Sequence, residues 1–333
     1  FGGGAAPAVL TEIFNEGERK GRGMAVLTVT DIEKRYGELK AVDGVAFAVE
    51  AGEIYGLLGP NGAGKTTTIS VISGLLRANA GTVDVDGHPF WKDPVRAKGR
   101  MGVVPQEIAL YEELTGRENL LFWGRLAGLG KAGARQRADE LLEALSLDSR
   151  GDDLVKEYSG GMKRRINMGC ALMHRPKLLL LDEPTVGIDP QARNNILDFV
   201  EQLAADGTAV LYTTHYLEEA ERFCNRIGII DHGKLLAEGT LAELQQLAGG
   251  KQLYTIEGDL DGARERMPTE FHQRFKILQS SETQLTVAAI EDRNPADCLR
   301  ELLALPVRFS NISLKNPTLN EVFLNLTGRD LRE

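Results

Sequence analysis

The sequence predicts an α/β fold with a parallel-sheet core, an antiparallel β subdomain, a helical insert and a small α/β C-terminal domain. Short apolar runs alternate with segments of helical periodicity. One continuous apolar run, "KLLLLDEPT", suits the middle of a parallel sheet that is covered on both faces. Near residues 249–250 the pattern changes to alternating strands with one further helix. A chain of 333 residues has room for one large and one small domain, or for two domains of medium size.

Composition narrows the classes of function. The net charge of −9 argues against a broad nucleic-acid-binding surface. The three cysteines, Cys170, Cys224 and Cys298, are odd in number and far apart, which is typical of free thiols in a reducing compartment. No apolar run approaches the roughly 18 residues needed to cross a bilayer. We therefore expect a protein that is not itself a membrane channel but could dock on one.

The first part of the chain predicts a leader segment followed mainly by strands, with one helix among them. Residues 1–23 carry apolar side chains at helical spacing, but the flanking glycines favour a cloning remnant or disordered leader over a short helix. Residues 27–49 alternate apolar and polar side chains around "YGELK", which predicts two antiparallel strands. The next segments predict a buried strand, a helix, a hairpin and a strand end, in the order "GEIYGLLGP", "GKTTTISVISGLLR", "GTVDVDGHPF" and "MGVVPQE".

The second half predicts mainly helices, then a change of domain. Residues 115–173 form the helical insert, 191–205 a helix, "TAVLYTTH" a strand and "YLEEAERFC" a helix. Further on, we expect strands at "KQLYTIEGDL", "FKILQS" and "QLTVAAI", and a helix at "PADCLRELLAL". We divide the chain into a leader (1–23), a main domain (24–245) and an accessory domain (246–333), in which no phosphate, metal or nucleophile motif occurs.

The most specific motif is "GPNGAGKTTT", in which Gly59, Gly64, Lys65 and Thr66 satisfy G-x-x-x-x-G-K-[ST]. The glycines let successive backbone N–H groups surround a phosphate, and the following helix adds its positive end. Lys65 would reach the β- and γ-phosphates, and the Thr66 hydroxyl would bind Mg²⁺. Because the motif lies between a predicted strand and a predicted helix, it indicates a P-loop NTPase core rather than a simple turn.

A second motif, "LLLLDEP", places two acids at the end of a buried strand. Asp182 could hold Mg²⁺ through water, and Glu183 could polarise a water molecule for attack on a γ-phosphate. Taken alone, these acids could equally form a solvated turn. Beside a phosphate loop, the catalytic interpretation is favoured.

Three further residues carry weaker signals. Gln106, in "VVPQE", could contact metal and water, although surface glutamines are common. His215 follows a strand and could contact the γ-phosphate, although a lone histidine there is more often structural. Tyr36 could stack on adenine, although aromatic residues in strands usually pack into the core.

The stretch "EYSGGMKRR" begins a basic helical run. Ser159 is a suitable N-cap, and Gly160 and Gly161 allow an anion to approach the helix N-terminus closely. By itself this is an ordinary helix start. The order of P-loop, Gln, Ser-Gly-Gly, Asp-Glu and His along the chain, however, indicates a functional role for this helix start.

That order resembles the nucleotide-binding subunit of ABC transporters over residues 27–245. The resemblance implies that Ser159, Gly160 and Gly161 are a signature that closes over the ATP of a second, antiparallel subunit. It implies that Tyr36 stacks on adenine, Gln106 is the Q-loop metal contact, Asp182 holds Mg²⁺, Glu183 is the catalytic base, Asp189 lies in the loop crossing the dimer interface, and His215 is the switch histidine. The phosphate-binding residues are then Gly59, Asn61, Gly62, Ala63, Gly64, Lys65, Thr66 and Thr67. Tyr158 and Met162 depart from the usual Leu and Gln.

The resemblance implies an Mg²⁺-dependent ATPase subunit that forms a homodimer around two ATP molecules. It would dock through the helical insert and the Gln106 region onto an integral-membrane permease at the cytoplasmic face. "SGGMKRR" and "NPTLNEVFLNLTG" resemble the exporter branch with separate permease chains and a C-terminal accessory domain.

The alternatives are an ABC-type ATPase of translation or DNA repair, a nucleotide kinase or GTPase, and a nucleotide-sensing regulator. A single P-loop disfavours translation factors, and the lack of sustained heptads between Gln106 and Asp182 disfavours repair proteins. A kinase or GTPase would leave Ser-Gly-Gly and Glu183 unexplained. Measured turnover would separate an ATPase from a regulator.

Overall fold

A computed structural model describes residues 25–247, 253–260, 267, 269–290, 294–305, 308–315 and 318–327, so the predicted leader lies outside the described residues. The strands are β1 (Ala25–Tyr36), β2 (Leu39–Glu50), β3 (Ile54–Leu58), β4 (Ala80–Val85), β5 (His88–Pro89), β6 (Met101–Val104), β7 (Leu178–Asp182), β8 (Ala209–Thr214), β9 (Arg226–Asp231), β10 (Lys234–Gly239), β11 (Leu253–Asp259), β12 (Phe275–Ser280), β13 (Gln284–Ala289) and β14 (Arg308–Lys315).

The helices, numbered over the described residues, follow the same chain order. They are α1 (Lys65–Ile72), α2 (Pro94–Gly99), α3 (Gly116–Leu126), α4 (Lys131–Ala144), α5 (Gly160–Leu172), α6 (Pro190–Ala205), α7 (Leu217–Phe223), α8 (Leu241–Leu247), α9 (Thr269–Arg274), α10 (Pro295–Leu303) and α11 (Leu319–Thr327). Within these described segments, no helix combines the length and apolar character required to cross a bilayer. The predicted α/β class is confirmed.

The first sheet is the predicted antiparallel subdomain, with strand order β2-β1-β4-β5. In β1, Leu27 and Val29 face Val85 and Val83 of β4, and all four side chains are buried. Alternation along the strand therefore buries one face and exposes the other. The turn between β1 and β2 contains Gly37 at a φ of +58°, a conformation that glycine adopts without strain.

The second sheet positions the candidate site. Its order is β10-β9-β3-β8-β7-β6, and all neighbouring pairs are parallel except β9 with β10. Every residue of β3, β7 and β8 is buried, which explains why their sequences are largely apolar, with polar residues only where β7 and β8 end. Leu58 pairs with Thr214, and Asp182 pairs with Thr213. The loops that follow these three strands consequently leave the sheet at one edge.

The helical insert is confirmed and consists of α3, α4 and α5. Thr115 caps α3 through a capping box with Glu118, which satisfies backbone donors at both ends of the motif. The insert is tied to the sheet edge by Arg164 of α5, whose Nη1 donates to the carbonyls of Pro105 and Gln106 at 3.1 and 2.8 Å. The loop that contains Gln106 is therefore fixed to the insert through its backbone.

The C-terminal region contains a third sheet, with antiparallel order β12-β13-β11-β14. In chain order the described elements run β11-α9-β12-β13-α10-β14, which is the ferredoxin-like arrangement. The predicted β11, β12, β13 and α10 are present, whereas α9 and β14 were not predicted. The sheet has a core of its own, formed by Tyr254, Ile256, Leu260, Met267, Phe271, Phe275, Leu285, Val287, Ala289, Cys298, Leu302 and Leu305.

Helix α11 returns from this region to the main domain. Leu319, Val322 and Phe323 are buried in one cluster with residues of β3, α7, β9 and α8. The Glu221 carboxylate of α7 accepts the Leu319 N–H at 2.6 Å and so caps the N-terminus of α11. The division at residue 246 stays a prediction, but the last described helix packs against the domain that precedes that division.

Candidate nucleotide site

The phosphate loop connects the buried end of β3 to the first residue of α1. A Cβ at Gly59 would lie 2.2 Å from the Ile230 carbonyl oxygen, so only glycine fits there. Gly62 and Gly64 have φ values of +81° and +108°, which favour glycine. At Gly62 a Cβ would meet nothing within 4 Å, so the loop has open space in front of it. This geometry fits a backbone cradle for phosphate.

The other predicted residues of the loop differ in exposure. Asn61 and Thr66 are exposed, Thr67 is half-buried, and Ala63 and Lys65 are buried. Lys65 is only 4% exposed, and its Nζ donates to the carbonyls of Gly59 and Pro60 at 2.7 and 3.1 Å. Its charge is balanced by Glu183 Oε1 at 3.1 Å. The loop thus holds a buried cation directly beside an acid from the end of β7.

Asp182 meets two hydroxyl groups at the end of β7. Its Oδ1 accepts from Thr213 Oγ1 at 2.7 Å and from Thr66 Oγ1 at 3.3 Å. Burial raises the pKa of Asp182 above its ordinary value, although the hydrogen bonds from Thr213 and Thr66 oppose that shift. A carboxylate beside a hydroxyl supplies the hard oxygen ligands that Mg²⁺ prefers. The donor set therefore fits the metal, and the assignment of Thr66 and Asp182 as ligands stays a prediction.

Glu183 lies between Lys65 and His215. Its Oε1 pairs with Lys65, and its Oε2 lies 3.2 Å from His215 Nδ1, a distance suited to an ion pair when the histidine is protonated. The alignment of His215 Nδ1 is too poor for a hydrogen bond. Glu183 has a φ of +45°, and a left-handed non-glycine residue costs about 1–3 kcal/mol. The Glu183 N–H donates to Thr213 Oγ1 at 3.0 Å, which helps to hold this backbone.

Two predicted site residues are not brought into contact with this group. Gln106 is exposed after β6, and it contacts Arg164 through its carbonyl rather than through its side chain. Tyr36 is exposed at the end of β1, with Lys34 Nζ 5.5 Å from its ring centroid. An exposed ring is free to stack on a base. The metal contact of Gln106 and the adenine contact of Tyr36 stay predictions.

The Ser-Gly-Gly turn forms an open helix start. Ser159 Oγ accepts the Met162 N–H at 3.3 Å, as predicted for an N-cap, and Gly160 is exposed with room for a Cβ. Gly161 is buried, and its Cβ would lie 2.6 Å from the Cβ of Ala192 in α6. Glycine therefore lets α5 approach α6 closely on one side while the other side faces solvent.

Two neighbours of this turn clarify its surroundings. Asp189 is exposed and caps α6, accepting the Ala192 N–H at 2.9 Å. Tyr158 is buried, and its hydroxyl donates to the Arg150 carbonyl at 2.6 Å. The departure from Leu at this position thus adds a hydrogen bond inside the insert and leaves the exposed glycine unchanged.

Thr213 is a site residue that sequence reasoning missed. Its hydroxyl bonds to Asp182 and to the Glu183 backbone, so it fixes both acids at once. The available signal was its place in "LYTTH", at the end of a predicted strand. Register between parallel strands is needed to identify it, because only one of the two threonines faces Asp182.

Comparisons with known sequences agree with this geometry. Residues 42–186 match the family described as ABC transporter. The chain is 45% identical over 311 residues to linearmycin resistance ATP-binding protein LnrL of Bacillus subtilis, covering 92% of this chain and 100% of that protein. It is 41% identical over 307 residues to daunorubicin/doxorubicin resistance ATP-binding protein DrrA of Streptomyces peucetius, covering 91% and 92%. It is 39% identical over 311 residues to Nod factor export ATP-binding protein I of Burkholderia orbicola, covering 93% and 99%.

Solved structures extend the likeness to the fold. An ATP-binding subunit of an ABC transporter superposes with a TM-score of 0.62 at 33% identity, covering 68% of this chain and 94% of that chain. An ATP-binding cassette of an ABC transporter in its ADP conformation gives 0.59 at 30% identity, covering 65% and 91%. The chain belongs to the ABC transporter family, as an ATPase subunit of its exporter branch.

Proposed function

We propose that this subunit hydrolyses Mg·ATP as a homodimer and drives a membrane permease from the cytoplasmic face. The observation that carries the proposal is the continuous contact of Lys65, Glu183 and His215 beside Thr66 and Asp182. Phosphoryl transfer to water requires charge stabilisation and an oriented nucleophile, and this set supplies both. Mg²⁺, held by Thr66 and Asp182, would neutralise charge that develops on the phosphates.

Each side chain then has a defined task. Lys65 would exchange its carbonyl partners for the β- and γ-phosphate oxygens, because a charge-assisted bond to phosphate is stronger than one to a neutral carbonyl. Glu183 would orient the attacking water and accept its proton on a carboxylate oxygen. His215 lies on the Oε2 side of Glu183, from which it would contact the γ-phosphate.

The homodimer is supported by the Ser-Gly-Gly turn. Ser159 and Gly160 are exposed at the start of α5, where backbone N–H groups and the helix dipole favour an anion. The phosphate loop already forms its own cradle in the same chain. A second copy arranged antiparallel would bring each Ser-Gly-Gly turn onto the ATP held by the other chain, giving two composite sites.

The permease contact is supported by an apolar patch on the insert and the Gln106 loop, formed by Ile108, Tyr111, Phe122 and Leu126, all exposed. The rings of Tyr111 and Phe122 pack edge to face with centroids 5.0 Å apart. Phe122→Glu should abolish co-purification with a permease from membranes, whereas Leu303→Glu, at an exposed leucine of α10, should preserve it. Equal recovery of both variants would contradict this docking face.

The alternative functions are less well supported. The relatives are named as resistance and export ATP-binding proteins, which disfavours a role in translation, DNA repair or nucleotide sensing. The net charge of −9 also disfavours a nucleic-acid partner.

The proposal is tested by Mg·ATP hydrolysis of the full chain. Lys65→Ala should lower kcat/KM by about 100-fold or more, because the phosphates lose a buried cation. Lys98→Ala, which removes an exposed lysine next to Phe90, is the matched control and should hydrolyse ATP as the wild type does. Wild-type turnover in Lys65→Ala would refute the proposed site.

A further inference from the structure

Helix α7 carries a buried carboxylate that the proposed chemistry does not use. Glu219 is 4% exposed and accepts three hydroxyl donors. Thr185 Oγ1 donates to Oε1 at 2.7 Å, while Tyr212 OH and Thr214 Oγ1 donate to Oε2 at 2.8 and 2.9 Å. Burying a carboxylate is costly unless it is hydrogen-bonded, so this set of donors satisfies an otherwise unfavourable group.

The three donors come from the segments that carry the hydrolytic residues. Thr185 is two residues after Glu183, and Thr214 immediately precedes His215. The Thr214 hydroxyl also accepts the Tyr216 N–H at 2.9 Å, which fixes the backbone on both sides of His215. Burial, followed by the charge of Glu219, raises the pKa of Tyr212, so Tyr212 stays a neutral donor. One carboxylate therefore connects the loop after β7 to the end of β8, directly before His215.

The connection helps to hold the strained backbone of Glu183. A left-handed non-glycine residue persists only where the surrounding structure holds it on both sides. On the amino side, the Glu183 N–H is bonded to Thr213. On the carboxyl side, the Glu183 carbonyl accepts the Val186 N–H at 3.3 Å, and the Thr185 hydroxyl is bonded to Glu219. Loss of the Glu219 charge would weaken the hold on Thr185 and so loosen the backbone on this side.

A fourth contact links Glu219 to α6. Arg193 Nε lies 3.6 Å from Glu219 Oε1, an ionic contact that is too long for a hydrogen bond. The Arg193 guanidinium also lies over the ring of Tyr216, 4.7 Å from its centroid. Arg193 follows Ala192, the residue against which Gly161 packs. Contacts therefore run from the Ser-Gly-Gly turn through α6 to the loops of Glu183 and His215.

We propose that Glu219 is a positioning residue for ATP hydrolysis, which holds the Glu183 and His215 loops in register and receives the contact of Arg193 from α6. The inference rests on the proposed function. Glu219 acts through Thr185 and Thr214 and does not touch the nucleotide. Its removal should lower the rate of the chemical step more than the affinity for ATP.

The chain offers a matched control at the opposite end of the same sheet. Glu53 precedes β3, is 9% exposed, accepts the Glu50 N–H at 2.7 Å and pairs with Arg226 Nη1 at 2.9 Å. It is thus a buried, arginine-paired glutamate far along β3 from the phosphate loop. Glu219→Gln and Glu53→Gln both replace a buried carboxylate by a side chain of equal size with one acceptor oxygen instead of two.

Steady-state hydrolysis of Mg·ATP by the full chain, with the melting temperature of each variant, tests the inference. Glu219→Gln should lower kcat about tenfold or more while KM changes by less than about twofold. Glu53→Gln should keep kcat within about twofold of the wild type, even if its melting temperature falls as far as that of Glu219→Gln. Arg193 is 30% exposed, so Arg193→Ala should fold and lower kcat about threefold.

The double variant Glu183→Gln/Glu219→Gln should be no slower than Glu183→Gln, because residues that act through one group are not additive. Equal losses of kcat in Glu219→Gln and Glu53→Gln, or wild-type kcat in Glu219→Gln, would overturn the inference. The proposed function fails separately, when the wild type itself hydrolyses ATP no faster than Lys65→Ala.

Discussion

The phosphate loop and the Ser-Gly-Gly turn are both glycine-rich helix starts, but their surroundings differ. The first follows β3, a fully buried strand, and places Lys65 against acids at the end of β7. The second follows a short turn of the insert and exposes Ser159 and Gly160 to solvent. We interpret the first as a site of chemistry and the second as a binding surface that needs a partner chain.

Packing explains the difference between the two glycine-rich sites. At Gly59 a Cβ would strike the backbone of β9, whereas at Gly160 it would meet nothing within 4 Å. Glycine is required at the first site by the fold. At the second site Gly161 is required by the packing of α5 on α6, whereas Gly160 has no packing requirement and leaves room for an approaching group.

The largest expected effect is that of Gly59→Ala. The added methyl would lie 2.2 Å from the Ile230 carbonyl oxygen, and neither backbone can yield without moving β3 or β9. We expect the free energy of unfolding to fall by at least about 3 kcal/mol, together with loss of ATP binding. Urea denaturation and a fluorescent-nucleotide titration measure these effects, and a fully stable variant would contradict the packing described here.

Gly160→Ala should have a much smaller effect on stability. Alanine fits the first turn of α5 and should raise the free energy of unfolding by up to about 1 kcal/mol. ATP binding at the phosphate loop should be unchanged, whereas ATP-dependent association of two chains should weaken because the methyl fills the space for the anion. Unchanged association in sedimentation experiments would remove the distinction between the two sites.

The sequence predicted the parts of the site that depend on local pattern. The motif around Lys65, the acids Asp182 and Glu183 and the helix start at Ser159 follow from spacing, strand hydrophobicity and capping preference. Because the carboxyl ends of parallel strands lie at one edge of a sheet, the closeness of Lys65 to the two acids could also be expected. The family resemblance added the roles of Tyr36, Gln106 and Asp189 but gave no contact for them.

Contacts between distant segments could not be predicted. Thr213 and Glu219 are polar residues that each have a partner more than 30 positions away along the chain, Asp182 for Thr213 and Thr185 for Glu219. Helix α11 was not predicted, and neither was its packing against α7 and α8. An amphipathic pattern predicts that one face of a helix is buried, but it does not predict which element packs against that face.

The central claim is that the Ser-Gly-Gly turn of one chain closes over the ATP of another. Analytical ultracentrifugation of Glu183→Gln with and without Mg·ATP tests it most directly, because this variant should bind ATP and hydrolyse it very slowly. We expect a dimer only with Mg·ATP. Adding Ser159→Arg should abolish that dimer while monomers still bind ATP, and adding Ser149→Arg, at an exposed serine elsewhere in the insert, should preserve it. An ATP-dependent dimer of equal stability in the Ser159→Arg variant would show that the turn is only a helix cap.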